Sequence, residues 1–289
     1  MSTKWVCRLP NEKCCDILGK KAGDSMNITV IQPRYHAGET PDAAIAEFLL
    51  REAEKVQSGL VVLPEYANAG GLSDPDKLLA ALPRAEEMLQ KASELAKSKG
   101  IYISINVFMR RDGKLRNSTY LLDKEGNTAF IYDKVHLPPA EVKLGIVPGD
   151  GECICDMDGI RFAFMTCYDV YFGEQTEFIA AQKPDIILVP GYQRGERWDI
   201  IQAQTKMLAF RCNAFVARCS VSMDSCEKGG NTMIVSPDGN ILENMGAAVG
   251  SVTAEVDPKQ KYMRPAGFGG SLVRNDDFIN QGLRPTIFK

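Results

Sequence analysis

Short, wholly apolar segments alternate with amphipathic segments along most of this chain, and this alternation constrains the fold more than any other feature. GLVVLP (59–64) and DIILVP (185–190) have the length of strands, and a proline ends each of them. Segments that are apolar on both faces are typical of strands buried between two layers. Residues 42–57 and 76–98 have apolar positions at helical spacing, and Gly100 is placed to end the second helix. The pattern predicts a layered α/β fold.

Further elements follow the same pattern. Strands are predicted at 26–32, 101–109, 161–166 and 214–221, and helices at about 174–182 and 198–211. Two hairpins, 118–134 and 231–245, have turns of Asp, Gly and Asn between arms rich in strand-forming residues. Strands separated by helices pair in parallel, and the strands of a hairpin pair antiparallel, so the combination predicts mixed sheets.

The chain is predicted to form one main domain from residue 26 to about residue 260. Residues 1–25 are polar and without periodicity, so they are interpreted as an N-terminal extension. Residues 261–289 contain RPAGFGGS and LRP, so we expect a loop-like C-terminal tail that packs on a neighbouring subunit.

Composition favours a small-molecule partner. The 289 residues carry a net charge of −3, and their basic side chains form no stripe that would bind nucleic acid or a membrane surface. No apolar run is long enough to span a bilayer, and the N-terminus lacks the apolar stretch of a signal peptide. These features predict a cytoplasmic protein whose nine cysteines are mostly reduced.

Potential metal ligands are scarce and badly spaced. The sequence has two histidines, His36 and His136, and no CxxC pair. Cys153 and Cys155 are separated by a single residue, a spacing that does not match a zinc site. We therefore expect neither a metal nor a cofactor.

Three polar residues directly follow predicted strands: Glu65, Lys134 and Cys167. Residues at strand ends in α/β sheets converge on a common crevice. Because a free thiol is mostly protonated at neutral pH, a nucleophilic cysteine needs a carboxylate to accept its proton and a cation nearby. Lys134 and the backbone N–H of Tyr168 are candidates for stabilising the oxyanion that forms on attack at a carbonyl.

The segments around these residues carry a family resemblance. LPEY (63–66), YDKVHL (132–137) and CYDVYFGE (167–174) closely resemble the three signature blocks of the nitrilase superfamily, in the family's order. The resemblance implies an αββα sandwich whose protomers pair to extend the layers, as a homodimer or a higher homo-oligomer. It also implies that Glu65 is the general base, Lys134 the transition-state stabiliser and Cys167 the nucleophile. Glu141 matches the family's second glutamate, which positions substrate and lysine.

The chain departs from the family pattern at several positions. Many relatives carry arginine four residues after the cysteine, where it can grip a substrate carboxylate, and Tyr171 in that place argues against an acidic substrate. Leu208 and Arg211 occupy positions where relatives often have Arg and Glu. Tyr168 and Asp169 after the cysteine favour amide over nitrile substrates.

Four functional hypotheses remain open at this point. The first is an amidase that releases ammonia from a small primary amide, and the second is an N-carbamoyl-amine hydrolase. The third is a non-catalytic relative that binds a metabolite, and the fourth is a Cys–His hydrolase that uses His136. Tyr168, Tyr171 and Tyr192 are the candidate substrate-binding residues. Arg194 and Arg197 are interpreted as solvated loop charges, with contact to an anionic substrate group as the alternative.

Overall fold

Residues 25–35, 42–70, 72 and 74–283 are described in the computed structural model of this chain. They form fourteen strands and seven α-helices. The strands are β1 Met26–Gln32, β2 Leu60–Val62, β3 Tyr102–Arg111, β4 Lys114–Leu122, β5 Thr128–Asp133, β6 Ile154–Met157, β7 Ile160–Phe164, β8 Ile186–Pro190, β9 Phe215–Cys219, β10 Met233–Val235, β11 Ile241–Asn244, β12 Gly250–Val256, β13 Met263–Pro265 and β14 Leu272–Arg274. The helices are α1 Asp42–Glu54, α2 Pro75–Ala80, α3 Leu82–Lys99, α4 Pro139–Leu144, α5 Gly173–Ala181, α6 Trp198–Cys212 and α7 Asn275–Gln281.

Two mixed six-stranded sheets organise the molecule. The first has the strand order β12-β1-β2-β3-β4-β5, with β1, β2 and β3 parallel to one another. The second has the order β11-β10-β9-β8-β7-β6, with β7, β8 and β9 parallel. The parallel strands at the centre of each sheet bring their carboxyl ends to one edge, which positions the site described below.

Each sheet is covered on both faces, as the apolar segments predict. On β2, Leu60 and Val62 belong to the core that also contains Phe162 and Phe164 of the second sheet. Val61 points the other way, into a core formed with α1 and α3. Helices α5 and α6 cover the outer face of the second sheet with residues of the first core. The predicted αββα sandwich is confirmed.

The helix predicted at 76–98 is two helices. α2 ends at Ala80 and α3 begins at Leu82. Pro83 has no N–H, so it is tolerated in the first turn of a helix and not in the interior of one. Asp74 caps α2 by accepting hydrogen bonds from two backbone N–H groups. Gly100 ends α3 with a φ of 64°, in agreement with the prediction.

The residues after 260 are more ordered than the sequence predicts. The expected loop-like tail contains the β13–β14 hairpin and α7. These elements pack on their own chain, since Asn213 Nδ2 donates to Asp276 Oδ1 at 2.7 Å and Lys261 Nζ lies 3.0 Å from Asp185 Oδ1. Strands of three residues carry too little alternation to be found by periodicity. Packing of the tail on a second subunit stays a prediction.

Two predictions concern residues that the structure does not cover. Apart from Ser25, the predicted N-terminal extension lies outside the described residues, as does His36. Within the described part, no helix combines the length and apolarity that a membrane span requires.

Candidate active site

The polar residues predicted at strand ends meet at one edge of the sandwich. Glu65 lies three residues after β2, Lys134 directly follows β5, and Cys167 lies three residues after β7. Glu141 is on α4, in the segment that follows Lys134. These four side chains form one polar cluster, and Glu65, Lys134 and Glu141 are all buried.

Lys134 joins the two carboxylates of this cluster. Its Nζ lies 2.8 Å from Glu65 Oε1 and 3.0 Å from Glu141 Oε1, and only 1% of the Lys134 side chain is exposed. Burial lowers the pKa of Lys134, but the nearby carboxylates of Glu65 and Glu141 outweigh burial and raise it above its ordinary value. The lysine is therefore an ammonium at neutral pH.

Asn117 and Tyr66 complete the hydrogen bonding around the carboxylates. Asn117 Nδ2 donates to Glu65 Oε1 at 2.8 Å and to Glu141 Oε1 at 3.1 Å. The Tyr66 hydroxyl donates to Glu141 Oε1 at 2.6 Å. Burial is the main reason that the pKa of Glu141 is raised. Sequence reasoning missed Asn117, although a run of polar residues (117–119) inside a strand otherwise rich in apolar residues was the available signal.

Two unusual backbone conformations occur in the polar cluster and next to it. Cys167 has a φ of 50° and Tyr66 a φ of 58°, in the left-handed region that residues other than glycine rarely adopt. Cys167 begins a 3₁₀ turn, and Thr166 and Asp169 close that turn with reciprocal side chain to backbone hydrogen bonds. Strained conformations of this kind cluster at functional sites, where the surrounding structure holds them.

The Cys167 thiol is only partly exposed and lies beside Glu65 and Lys134. Burial raises its pKa most, and the charge of Glu65 raises it further. The ammonium of Lys134 and a hydrogen bond from the backbone N–H of Tyr192 act in the opposite direction without reversing the shift. Cysteine at this site is therefore a thiol at neutral pH, and it needs a base in order to react. Glu65 Oε2 is buried and has no hydrogen-bond partner within the described residues.

The three tyrosines predicted to bind substrate differ in their contacts. The Tyr192 ring meets the Tyr66 ring edge-on, with centroids 5.9 Å apart. Tyr171 is 45% exposed and donates to Glu196 Oε2 at 2.5 Å. The Tyr168 ring packs against Tyr171 at 5.6 Å. Tyr192 thus contacts the group around Glu141 through Tyr66, whereas Tyr168 and Tyr171 contact each other.

The contacts of His136 are with residues other than Cys167 in the described part of the chain. Its ring stacks on Phe172 at 3.8 Å, and its Nδ1 lies 3.0 Å from Asp169 Oδ1. The His136 backbone N–H also donates to Asp169 Oδ1, at 2.8 Å. None of its hydrogen bonds or ion pairs in the described structure involves Cys167. The geometry therefore gives no support to the Cys–His hypothesis.

The positions that depart from the family pattern have other partners. Arg211 forms an ion pair with Glu177 of α5. Leu208 lines a small cavity together with Arg218, which is 2% exposed.

Arg218 donates to the carbonyl oxygens of residues 230 and 231 and, at 2.9 Å, to Gln193 Oε1. Burial lowers the pKa of Arg218 to about 10. An arginine inside the apolar segment 214–221 was the signal that sequence reasoning missed.

Two other features of the described residues bear on the choice of site. No group of three or more His, Cys, Asp or Glu side chains in this part of the chain is arranged to hold a metal ion. A surface cavity of about 790 Å³ opens elsewhere, lined by residues that include Ser25, Tyr102 and Lys124. This cavity shares no residue with the polar cluster, and it lies where β1 and β3 begin.

A family model provides the identification. The model described as carbon–nitrogen hydrolase matches residues 27–262, which is most of the chain. The chain belongs to the carbon–nitrogen hydrolase family. This confirms the assignment to the nitrilase superfamily that the three sequence blocks predict.

Curated relatives cover most of the chain at moderate identity. The 2-oxoglutaramate amidase of Bacillus subtilis is 28% identical over 217 residues, covering 73% of this chain and 83% of that protein. The omega-amidase NIT2 of Homo sapiens is 26% identical over 253 residues, covering 82% of this chain and 90% of that protein.

Solved structures support the fold. An amidase from Nesterenkonia sp. superposes with a TM-score of 0.69 at 20% identity, covering 81% of this chain and 90% of that one. A mutant of this amidase in complex with butyramide gives a TM-score of 0.68, again at 20% identity, over 80% of this chain and 91% of that one. The family's sandwich is thus shared along most of the chain.

Proposed function

We propose that this protein is a cysteine hydrolase that cleaves the C–N bond of a small linear amide and releases ammonia. The observation that carries the proposal is the position of Lys134 Nζ, within 3.0 Å of both Glu65 Oε1 and Glu141 Oε1 and beside the Cys167 thiol. The amidase activities named for the curated relatives support the choice of an amide substrate.

Acylation begins with proton transfer from the Cys167 thiol to Glu65. Because the thiol is protonated at neutral pH, the free oxygen Glu65 Oε2 is the group available to accept this proton. The sulfur then attacks the amide carbonyl carbon, and negative charge develops on the carbonyl oxygen. The ammonium of Lys134 and the backbone N–H of Tyr168 stabilise this charge.

Release of ammonia uses the same carboxyl group as an acid. Glu65 returns its proton to the amide nitrogen, the C–N bond breaks, and a thioester of Cys167 remains. A water molecule then gives a proton to Glu65 and attacks the thioester carbonyl. The C–S bond breaks, and Glu65 returns the proton to the sulfur, so that the acid product leaves and the thiol is restored.

Glu141 and Asn117 keep these groups in place. Glu141 Oε1 accepts hydrogen bonds from Lys134, Asn117 and Tyr66, and these contacts fix the lysine between the two carboxylates. Both carboxyl groups share the one ammonium of Lys134. Removal of the lysine would leave two buried carboxylates without a counter-charge.

Ammonia release from a panel of amides and carbamoyl compounds tests this function. We expect the wild-type protein to release ammonia and the matching acid, and Cys167→Ala to release none. Cys226→Ala removes an exposed cysteine and serves as the matched control, with unchanged activity. Release of carbon dioxide in equal amount would assign the protein to the carbamoyl-amine hydrolases instead. Absence of ammonia with every compound would favour the non-catalytic hypothesis.

We also propose that the protein is a homodimer. Phe178 of α5 is 49% exposed, and Ile200 and Met207 of α6 are 39% and 60% exposed. These side chains lie on the two helices that cover the second sheet, and contiguous apolar patches on such a face are typical of subunit interfaces. Pairing through α5 and α6 would extend the four layers, as the family resemblance implies.

The proposed compartment is the cytoplasm. All six cysteines in the described residues are unpaired, including the exposed Cys226. Reduced cysteines are typical of a reducing compartment, in which a nucleophilic thiol also stays active.

A further inference from the structure

Arg194 is held in one orientation by two tyrosine rings. Its Cζ lies 5.2 Å from the centroid of the Tyr35 ring and 5.0 Å from that of Tyr192. The Nη1 group of Arg194 also donates to the Tyr35 hydroxyl at 2.7 Å. Because stacking and a hydrogen bond act together, the guanidinium is pre-organised instead of moving freely in solvent.

This arginine has no acidic partner in the described part of the chain. No Asp or Glu oxygen there lies within 4.0 Å of its nitrogens, whereas the neighbouring Arg197 forms an ion pair with Asp199 and Arg34 forms one with Asp224. The Tyr35 hydroxyl is the single acceptor that the described structure gives its five N–H groups. A half-buried cation without a counter-charge is stabilised by an anion that binds beside it.

The arginine stands close to the reacting groups. The Tyr192 ring, over which Arg194 lies, meets the ring of Tyr66 at 5.9 Å, and the Tyr66 hydroxyl donates to Glu141. The backbone N–H of Tyr192 contacts the Cys167 sulfur. The side chain of Tyr192 therefore lies between the guanidinium of Arg194 and the polar cluster.

We propose that Arg194 binds a carboxylate of the substrate, so that the preferred substrates are amides with an acidic group at the far end of a short chain. This inference rests on the proposed hydrolysis of amides at Cys167. The position four residues after the cysteine holds Tyr171, whose hydroxyl donates to Glu196 and cannot supply a positive charge. The counter-charge for an acidic substrate comes instead from the loop between β8 and α6, which carries Arg194.

Matched pairs of amides test this assignment. Malonamate, succinamate and glutaramate carry a carboxylate, and propanamide, butyramide and pentanamide have a methyl group in its place. We expect the wild-type protein to have the higher kcat/KM for the anionic member of at least one pair. Arg194→Met lowers that value by about 10- to 100-fold and changes kcat/KM for the neutral member by less than about 3-fold, since a hydrogen-bonded charge pair contributes this much to binding.

Two further variants separate charge from packing. Arg197→Met alters an exposed arginine of the same loop and leaves the preference for the anionic amide unchanged. Arg194→Lys keeps the positive charge and retains part of the preference. Circular dichroism and the thermal midpoint establish that each variant is folded.

Several outcomes would overturn the inference. If Arg194→Met loses activity equally on both members of a pair, Arg194 supports the structure of the site and does not bind the substrate carboxylate. Wild-type hydrolysis of the neutral amides without preference for any anionic partner would reject Arg194 as the anion site while amide hydrolysis stands. Release of ammonia from no amide of the larger panel would reject the proposed function, and this inference with it.

Discussion

Lys134 Nζ lies 2.8 Å from Glu65 Oε1, and each of these two side chains is only 1% exposed. The two residues are 69 positions apart in the chain and reach the same point from different strands of one sheet. An ion pair buried to this degree contributes little net stability, because removing both charges from water costs about as much as their attraction returns. The presence of this buried ion pair is better explained by a reaction that needs a base and a cation side by side.

Replacing the lysine tests the role of that cation. Lys134→Met is expected to lower kcat by at least about 100-fold, since the developing oxyanion loses its charged partner. The free energy of unfolding should also fall by about 3–5 kcal/mol, because two buried carboxylates are left without a counter-charge. Steady-state kinetics and urea titration measure the two effects. Lys124→Met, at an exposed lysine, is the control, and a Lys134→Met variant with full activity would refute the role.

Glu65 is expected to influence the titration of the thiol in a direction that can be measured. A neighbouring negative charge disfavours the thiolate, so Glu65→Gln should lower the pKa of Cys167, and Lys134→Met should raise it. The ultraviolet absorbance of the thiolate, as a function of pH and after subtraction of Cys167→Ala, reports this pKa. Opposite shifts in the two variants support the arrangement. A titration that neither variant changes would place the sulfur away from both groups.

The hydroxyl of Tyr66 is expected to affect the ionisation of Glu141. It donates to the carboxylate and so favours the charged form, while burial raises the pKa. Tyr66→Phe should therefore raise the pKa of Glu141 further, move the acidic limb of the kcat/KM profile to higher pH, and reduce activity about 3- to 30-fold. Tyr102→Phe removes a tyrosine that donates to Asp158 near the opposite end of the sheets, and its profile should not move.

The proposed interface predicts a change of oligomeric state. Met207→Glu places a charge on the exposed face of α6 and should convert a dimer to a monomer in analytical ultracentrifugation, because burying an unpaired carboxylate at the interface is unfavourable. Leu242→Glu, at an exposed position of β11, should leave the mass unchanged. A wild-type protein that sediments as a monomer would contradict the interface.

Part of this architecture was predictable from local patterns alone. The strand predicted at residues 26–32 coincides with β1, and the two predicted hairpins occur as β4–β5 and β10–β11. The hairpins were found through their turns, which are rich in Asp, Gly and Asn, although β10 itself has only three residues. The three-residue strands β13 and β14 escaped prediction because such short segments have no measurable period. The break at Ala81 follows from Pro83, which the long helical periodicity obscured.

The charged residues of the site could be predicted from the sequence, whereas the residues that hold them in place could not. Glu65, Lys134 and Cys167 each follow an apolar strand, so convergence on one crevice could be expected. Asn117 reaches both carboxylates from within β4, and the register that places it there depends on pairing with β3 and β5. Such pairing is set by the whole sheet, so the polar run at 117–119 marks the segment but does not reveal which of its side chains reaches the carboxylates. The stacking of Arg194 on two tyrosines likewise depends on loops that only the fold brings together.

The chemical state of Cys167 during turnover tests the proposed covalent mechanism most directly. Wild-type protein is quenched in acid while it hydrolyses an amide, then digested and analysed by mass spectrometry. Covalent catalysis by Cys167 predicts the acyl half of the substrate on this residue as a thioester that hydroxylamine removes, with one ammonia released for each amide cleaved. Ammonia release by Cys167→Ala at the wild-type rate, or an acyl group on another residue in place of Cys167, would contradict it.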